Sequence, residues 1–158
     1  VTDAELARSV AVEAGELLKS IRASSGLEGA ALGALGDRDA NTLILDRLRA
    51  ARPEDFILSE ESVDDRARCA ASRVWIVDPL DGTREYASGS SEWAVHIGLA
   101  IDGRPALGAV SVPDRDQVFA TDDLPPKHPP ARRACASSSA AAARPISRIA
   151  SATGWARS

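Results

Sequence analysis

Aromatic side chains are scarce in this chain of 158 residues, with one tyrosine, two phenylalanines and three tryptophans. Tyr86 stands near an arginine, but no series of aromatics interleaved with cations is present, so the platform on which single-stranded nucleic acids stack is missing. Positive charge is not in excess either. With 19 Lys and Arg against 23 Asp and Glu the net charge is -4, the wrong sign for a binder of nucleic-acid polymers. The two cysteines, Cys69 and Cys135, have no CxxC spacing and read as free thiols in a reducing compartment. No run approaches the ~20 apolar residues of a membrane span. No signal-peptide pattern opens the chain, so a cytoplasmic protein with no membrane partner is expected. What remains is ordinary for one soluble domain: 44% apolar and 27% charged residues, and enough chain to bury a core.

Thr2 and Glu5 fit a capping box, and Leu6, Val10, Ala14, Leu17, Leu18 and Ile21 recur at helical spacing. Together they predict an amphipathic helix over 3–23. The glycine-rich stretch from Gly26 to Gly36 reads as a loop. A second helix is expected over 38–51, with Ala40, Leu43, Ile44 and Leu48 inward and Pro53 ending it. Apolar runs at 56–59 and 74–77 are of buried-strand type, with a polar helical turn between them at 64–68. Residues 93–101 and 107–112, joined at Asp102-Gly103, form a hairpin, and 117–121 adds a third strand to the meander. Two helices followed by mostly strand define an α+β class, with the helices packed on a mainly antiparallel sheet. From Leu124 onward Pro, Ala, Ser and Arg dominate. The expected organisation is a domain over 1–122 and, over 123–158, a linker leading into an absent or truncated second domain.

The chemistry lies in Val74-Trp75-Ile76-Val77-Asp78-Pro79-Leu80-Asp81-Gly82-Thr83 and in the upstream Ser59-Glu60-Glu61. Apolar strands that run straight into acids make poor core, because unpaired buried carboxylates are expensive. They suit hard divalent cations, which take several oxygen ligands on a rigid frame. Asp78 is expected at a strand end and Asp81 at the following turn, with the Leu80 carbonyl as a neutral third oxygen. Glu60 adds a carboxylate from the neighbouring strand. Gly82 permits close backbone approach, and Thr83 is the expected N-cap of a helix whose free N–H groups suit a phosphate. Blander readings compete. Asp78 and Asp81 alone resemble surface turn acids, Ser59-Glu60-Glu61 a helix start, and Arg84-Glu85 a solvated ion pair. His96, between Val95 and Ile97, reads as a hydrogen-bonded core residue, and Trp75 and Trp93 as core aromatics.

Together, Ser59-Glu60-Glu61-Ser62 and Trp75-Ile-Val-Asp-Pro-Leu-Asp-Gly-Thr83 resemble the inositol monophosphatase superfamily of Mg²⁺-dependent, Li⁺-sensitive phosphatases. The Arg84-Glu85-Tyr86 and Ser91–Leu99 stretches look like its CysQ-type branch, the 3'(2'),5'-bisphosphate nucleotidases. The likeness runs over about residues 3–122. It implies two or three Mg²⁺ ions, inhibition by Li⁺, and metal ligands at Glu60, Asp78, the Leu80 carbonyl and Asp81. It also implies that Asp37 and Thr83 polarise the attacking water and that the Gly82 and Thr83 amides hold the phosphate. The implied reaction removes the 3'-phosphate of adenosine 3',5'-bisphosphate, a small-molecule substrate, in sulfate assimilation.

Two features depart from the family pattern. Ala34-Leu35-Gly36 stands where Val-Thr usually precedes the acid assigned to Asp37. A second domain with a Trp-Asp metal ligand is also expected, whereas Trp155 is followed here by Ala156. The alternatives are an inositol monophosphatase or fructose-1,6-bisphosphatase activity, or a truncated, non-catalytic metal-binding remnant. An apolar surface left without its partner domain would favour a homodimer.

Overall fold

The computed structural model of the chain describes residues 1–61 and 71–123. The turn expected at 64–68, both cysteines and everything from residue 124 onward lie outside the described residues. Helices α1 (Asp3–Ser24) and α2 (Gly29–Ala51) precede strands β1 (Phe56–Ser59) and β2 (Arg73–Asp81). A short helix α3 (Thr83–Ala87) then leads to β3 (Ala94–Ile101), β4 (Arg104–Val112) and β5 (Gln117–Ala120). The five strands form one sheet in sequence order. β1 runs parallel to β2, and every later pairing is antiparallel. This is the α+β class expected, and the helix expected after Gly82 is present as the short α3.

The capping box forms as expected. The Thr2 N–H donates to Glu5 Oε2 at 2.8 Å and the Glu5 N–H to Thr2 Oγ1 at 3.2 Å. α1 buries Leu6, Val10, Ala14, Leu18 and Ile21 along one stripe, and α2 buries Ala40, Ile44 and Leu48. The facing sheet surface presents Trp75, Val77, Val95, Ile97 and Leu99. Both core tryptophans are buried, and truncating either to alanine would cost about 3–5 kcal/mol.

Three expectations need correcting. α2 begins at Gly29, so most of the stretch from Gly26 to Gly36 is helical. Its glycines serve contact: a Cβ on Gly33 would lie 2.8 Å from Thr83 Cγ2, and one on Gly36 would lie 3.0 Å from both Leu18 Cδ2 and Tyr86 Cε1. Each glycine costs the helix about 1 kcal/mol of propensity relative to alanine, and lets α1 and α3 approach. β2 does not end at Asp78 but continues to Asp81. Its register against β3 shifts between those two residues, forming a bulge that contains Pro79, which has no N–H for the ladder. Finally, His96 is not a core residue. Val95 and Ile97 point inward, so the period of two sends His96 to the opposite face of the sheet.

Candidate active site

Parallel pairing of β1 and β2 decides where the acids meet. Ser59 pairs with Val77, so the next residues along, Glu60 just past the end of β1 and Asp78 still within β2, lie side by side. An antiparallel pair would have sent them to opposite ends. The Glu60 N–H donates to the Val77 carbonyl at 3.2 Å and fixes this placement. Ser59, itself 1% exposed, donates from Oγ to Asn41 Oδ1 at 2.7 Å. Asn41 stands one turn beyond Asp37 on α2, so this bond ties the Asp37 face of the helix to the end of β1. Asp37 lies well inside α2, not at its start.

The end of β2 and the turn after it are held by their own short-range bonds. The Leu80 N–H donates to Asp78 Oδ1 at 3.2 Å, which fixes one carboxylate oxygen. Gly82 caps α3 with φ at +81°, and Thr83 is the first helical residue, not the N-cap expected. The reason is steric. The left-handed turn brings Gly82 so close to the next strand that a Cβ would meet the Glu92 carbonyl oxygen at 2.7 Å. Thr83 Oγ1 donates its proton to the Leu80 carbonyl at 3.0 Å. That proton is therefore not shared with Asp37, the partner implied by the resemblance.

The electrostatics bind the group together. Burial, then the charge and hydrogen bond of Glu61, then the charges of Asp78 and Glu60 push Asp37 up to about 7. Burial likewise raises Asp78, helped by the charges of Glu60 and Asp81 and opposed by the Leu80 N–H and by His96. His96 pairs with Asp78 in the β-ladder, and its Nε2 lies 3.3 Å from Asp81 Oδ2. That approach lacks hydrogen-bond geometry, and Nε2 is buried with no hydrogen-bond partner. A groove of about 660 Å³ on the outer face of the sheet is lined by Glu60, Asp78 and His96 beside Leu58, Ile76 and Val110.

Of the residues singled out in the sequence, Asp37, Glu60 and Asp81 thus each fall within electrostatic reach of Asp78. Among the described residues, no three acidic, histidine or cysteine side chains stand in the arrangement of a ready-made metal cage. The donor set nonetheless fits a hard cation. It consists of carboxylate and carbonyl oxygens, and burial together with the charges of neighbouring acids already pushes Asp37 and Asp78 toward protonation. Sequence reasoning gave Glu61 no site role, although its charge raises Asp37. It placed His96 in the core, although strand alternation alone puts that residue on the outer face.

This arrangement places the chain in a known group. The sequence pattern of the inositol monophosphatase family matches residues 3–126, and the chain belongs to that family. Within it, the chain is 51% identical over 136 residues to the 3'-phosphoadenosine 5'-phosphate phosphatase of Mycobacterium leprae, covering 78% of this chain and 50% of that protein. It is 42% identical over 78 residues to the 3'(2'),5'-bisphosphate nucleotidase CysQ of Escherichia coli, covering 49% of this chain and 32% of that protein. Among solved structures, CysQ from Bacteroides thetaiotaomicron aligns with a TM-score of 0.67 at 31% identity, over 75% of this chain and 45% of that one. Inositol monophosphatase II from Staphylococcus aureus aligns with a TM-score of 0.68 at 28% identity, over 73% and 44%. The chain spans about half the length of the curated relatives it matches. Among the described residues, no helix is long and apolar enough to cross a membrane.

Proposed function

We propose that this chain carries the metal- and phosphate-binding half of a Mg²⁺-dependent phosphomonoester hydrolase that removes the 3'-phosphate of adenosine 3',5'-bisphosphate. The observation that carries the reading is the carboxylate cluster where β1 ends beside β2, immediately before the Gly82 turn. Kinship with a 3'-phosphoadenosine 5'-phosphate phosphatase and a 3'(2'),5'-bisphosphate nucleotidase supports this substrate. Glu60, Asp78, Asp81 and the Leu80 carbonyl would hold Mg²⁺. Bound there, the metal supplies a Lewis acid that activates water and offsets charge on the leaving oxygen.

The chain's own groups do the rest. Backbone N–H groups at Gly82 and Thr83 hold phosphate oxygens, because the first N–H groups of a helix have no intrahelical acceptor. Asp37, raised to about 7 by burial and by its acidic neighbours, accepts a proton from the attacking water once a cation relieves the repulsion of those neighbours. The Thr83 hydroxyl, fixed to Leu80, orients its oxygen lone pairs toward the same space. A cytoplasmic setting, a place in sulfate assimilation, inhibition by Li⁺ and action on small molecules rather than polymers belong to this reading.

Phosphate release from adenosine 3',5'-bisphosphate with Mg²⁺ is the test, with inositol 1-phosphate and fructose 1,6-bisphosphate as competitors ranked by kcat/KM. A folded protein that releases phosphate from none of the three defeats the reading. A second reading is a chain that binds metal without turnover, as a monomer or a homodimer. Mn²⁺ binding without phosphate release under the same conditions would select it.

A further inference from the structure

We propose that Asp114 is a positioning residue for the Gly82–Thr83 turn, acting through Trp93 and braced by Arg22. The functional meaning of that turn rests on the phosphatase reading above; the mechanical coupling does not. Gly82 backs directly onto the start of the next strand: a Cβ there would lie 2.7 Å from the Glu92 carbonyl oxygen and 3.2 Å from Trp93 Cα. The backbone at 92–93 is therefore the rear wall of the turn, and whatever fixes Trp93 fixes that wall.

Trp93 is fixed by its indole N–H, which donates to Asp114 Oδ2 at 2.8 Å. Asp114, in the 3-10 turn Pro113–Arg115, accepts from Arg22 Nη2 through both oxygens at 2.6 Å. Arg22 reaches this point from the last turns of α1. Its guanidinium lies 5.4 Å from the Tyr86 ring centre and 5.3 Å from that of Trp93, and the two rings meet edge to face at 5.1 Å. Arg22 Nη1 also donates to the Ser90 carbonyl at 3.2 Å. Tyr86, the buried residue of α3, donates from its hydroxyl to the Leu18 carbonyl at 2.7 Å. The element downstream of the turn and the wall behind it thus converge on one ion pair. The two side chains of that pair are only 23% and 15% exposed, so water does little to loosen it.

The molecule supplies its own control. Asp55, Arg73 and Trp75 form the same constellation, with Arg73 Nε at 2.8 Å and Trp75 Nε1 at 2.9 Å from the Asp55 carboxylate. That triad sits at the start of β2, away from the Gly82 turn at its far end. A role confined to general stability predicts equal consequences for the two triads. A positioning role predicts that they separate.

The experiment measures amide hydrogen exchange and Mn²⁺ affinity on the full 158-residue chain for Asp114→Asn, Trp93→Phe and Asp55→Asn. Asp114→Asn and Trp93→Phe are expected to speed exchange across Gly82–Tyr86 by about tenfold beyond any global change. They are also expected to weaken Mn²⁺ binding by about tenfold or more, in the manner of second-layer supports of metal ligands. Asp55→Asn lowers Tm but leaves the turn's exchange and the Mn²⁺ affinity at wild-type levels. Trp93→Phe keeps the ring and removes only the N–H, so it decides the matter if Asp114→Asn fails to fold. Turn exchange unchanged in Trp93→Phe, or equally raised in Asp55→Asn, overturns the proposal. A wild-type chain that neither binds Mn²⁺ nor releases phosphate defeats the phosphatase reading, and exchange alone then decides the positioning.

Discussion

Asp37, half-buried on α2, lies close enough to Glu61 for that acid's charge to add to burial in raising its carboxyl. Burial and the neighbouring acids keep a proton on Asp37 up to about pH 7. In the unfolded chain the same group titrates at its ordinary value of 3.8. The folded state therefore binds the extra proton between these limits, and metal-free stability should fall as pH rises from about 4 to about 7. Denaturant titrations across that range should show the slope, and Asp37→Asn should flatten it. At pH 7 metal binding should expel a proton, visible by calorimetry in buffers of different ionisation heat; heats independent of buffer would contradict the assignment.

Asp78→Asn should separate function from stability. With its charge gone, Mn²⁺ affinity is expected to fall by at least about tenfold, and phosphate release with it. Burial and the charges of Glu60 and Asp81 already penalise ionised Asp78, so the metal-free variant should melt above the wild type. A variant that loses metal and also melts lower would argue for a structural role.

Gly82→Ala carries two penalties at one position. Alanine is strained at φ +81°, and its Cβ would meet the Glu92 carbonyl at 2.7 Å, a backbone atom with nowhere to retreat. Strain of this kind costs about 1–3 kcal/mol. Equilibrium unfolding should register that loss, and Mn²⁺ binding should weaken as the turn shifts.

Acid should dissolve the network at the opposite end of β2. Burial raises the Asp55 carboxyl, but hydrogen bonds from Arg73 and Trp75 overcome it and hold the group below its usual 3.8. A depressed carboxylate stabilises the fold above the unfolded value, and that contribution disappears as pH falls through the folded one. Asp55→Asn should cost about 1–3 kcal/mol at pH 7 and should lose little further below pH 3.8, where the wild type converges on it.

Much of this architecture was written plainly in the chain. The strand runs are apolar and bounded by turn residues, and the Thr2–Glu5 cap forms as its residue types demand. The direction of the β1–β2 pairing was not legible, because side-chain pattern does not distinguish parallel from antiparallel neighbours, yet it alone brings Glu60 beside Asp78. The front of α2 was misjudged because glycine reads locally as a breaker. Its use at Gly33 and Gly36 is to admit Thr83, Leu18 and Tyr86, contacts that exist only after folding. Arg22 and Asp114, 92 positions apart, left no local signal at all.

The bulge around Pro79 gives the two aspartates different anchors. Asp78 pairs with His96 in the main ladder, while Asp81 pairs with Ala94 past the register shift, next to the left-handed turn. A cation held by both would fasten two pieces of backbone that the register shift otherwise leaves on separate stretches of ladder. Occupancy would then be felt as stiffness, with the sheet and the short helix moving as one body when loaded and as two when empty.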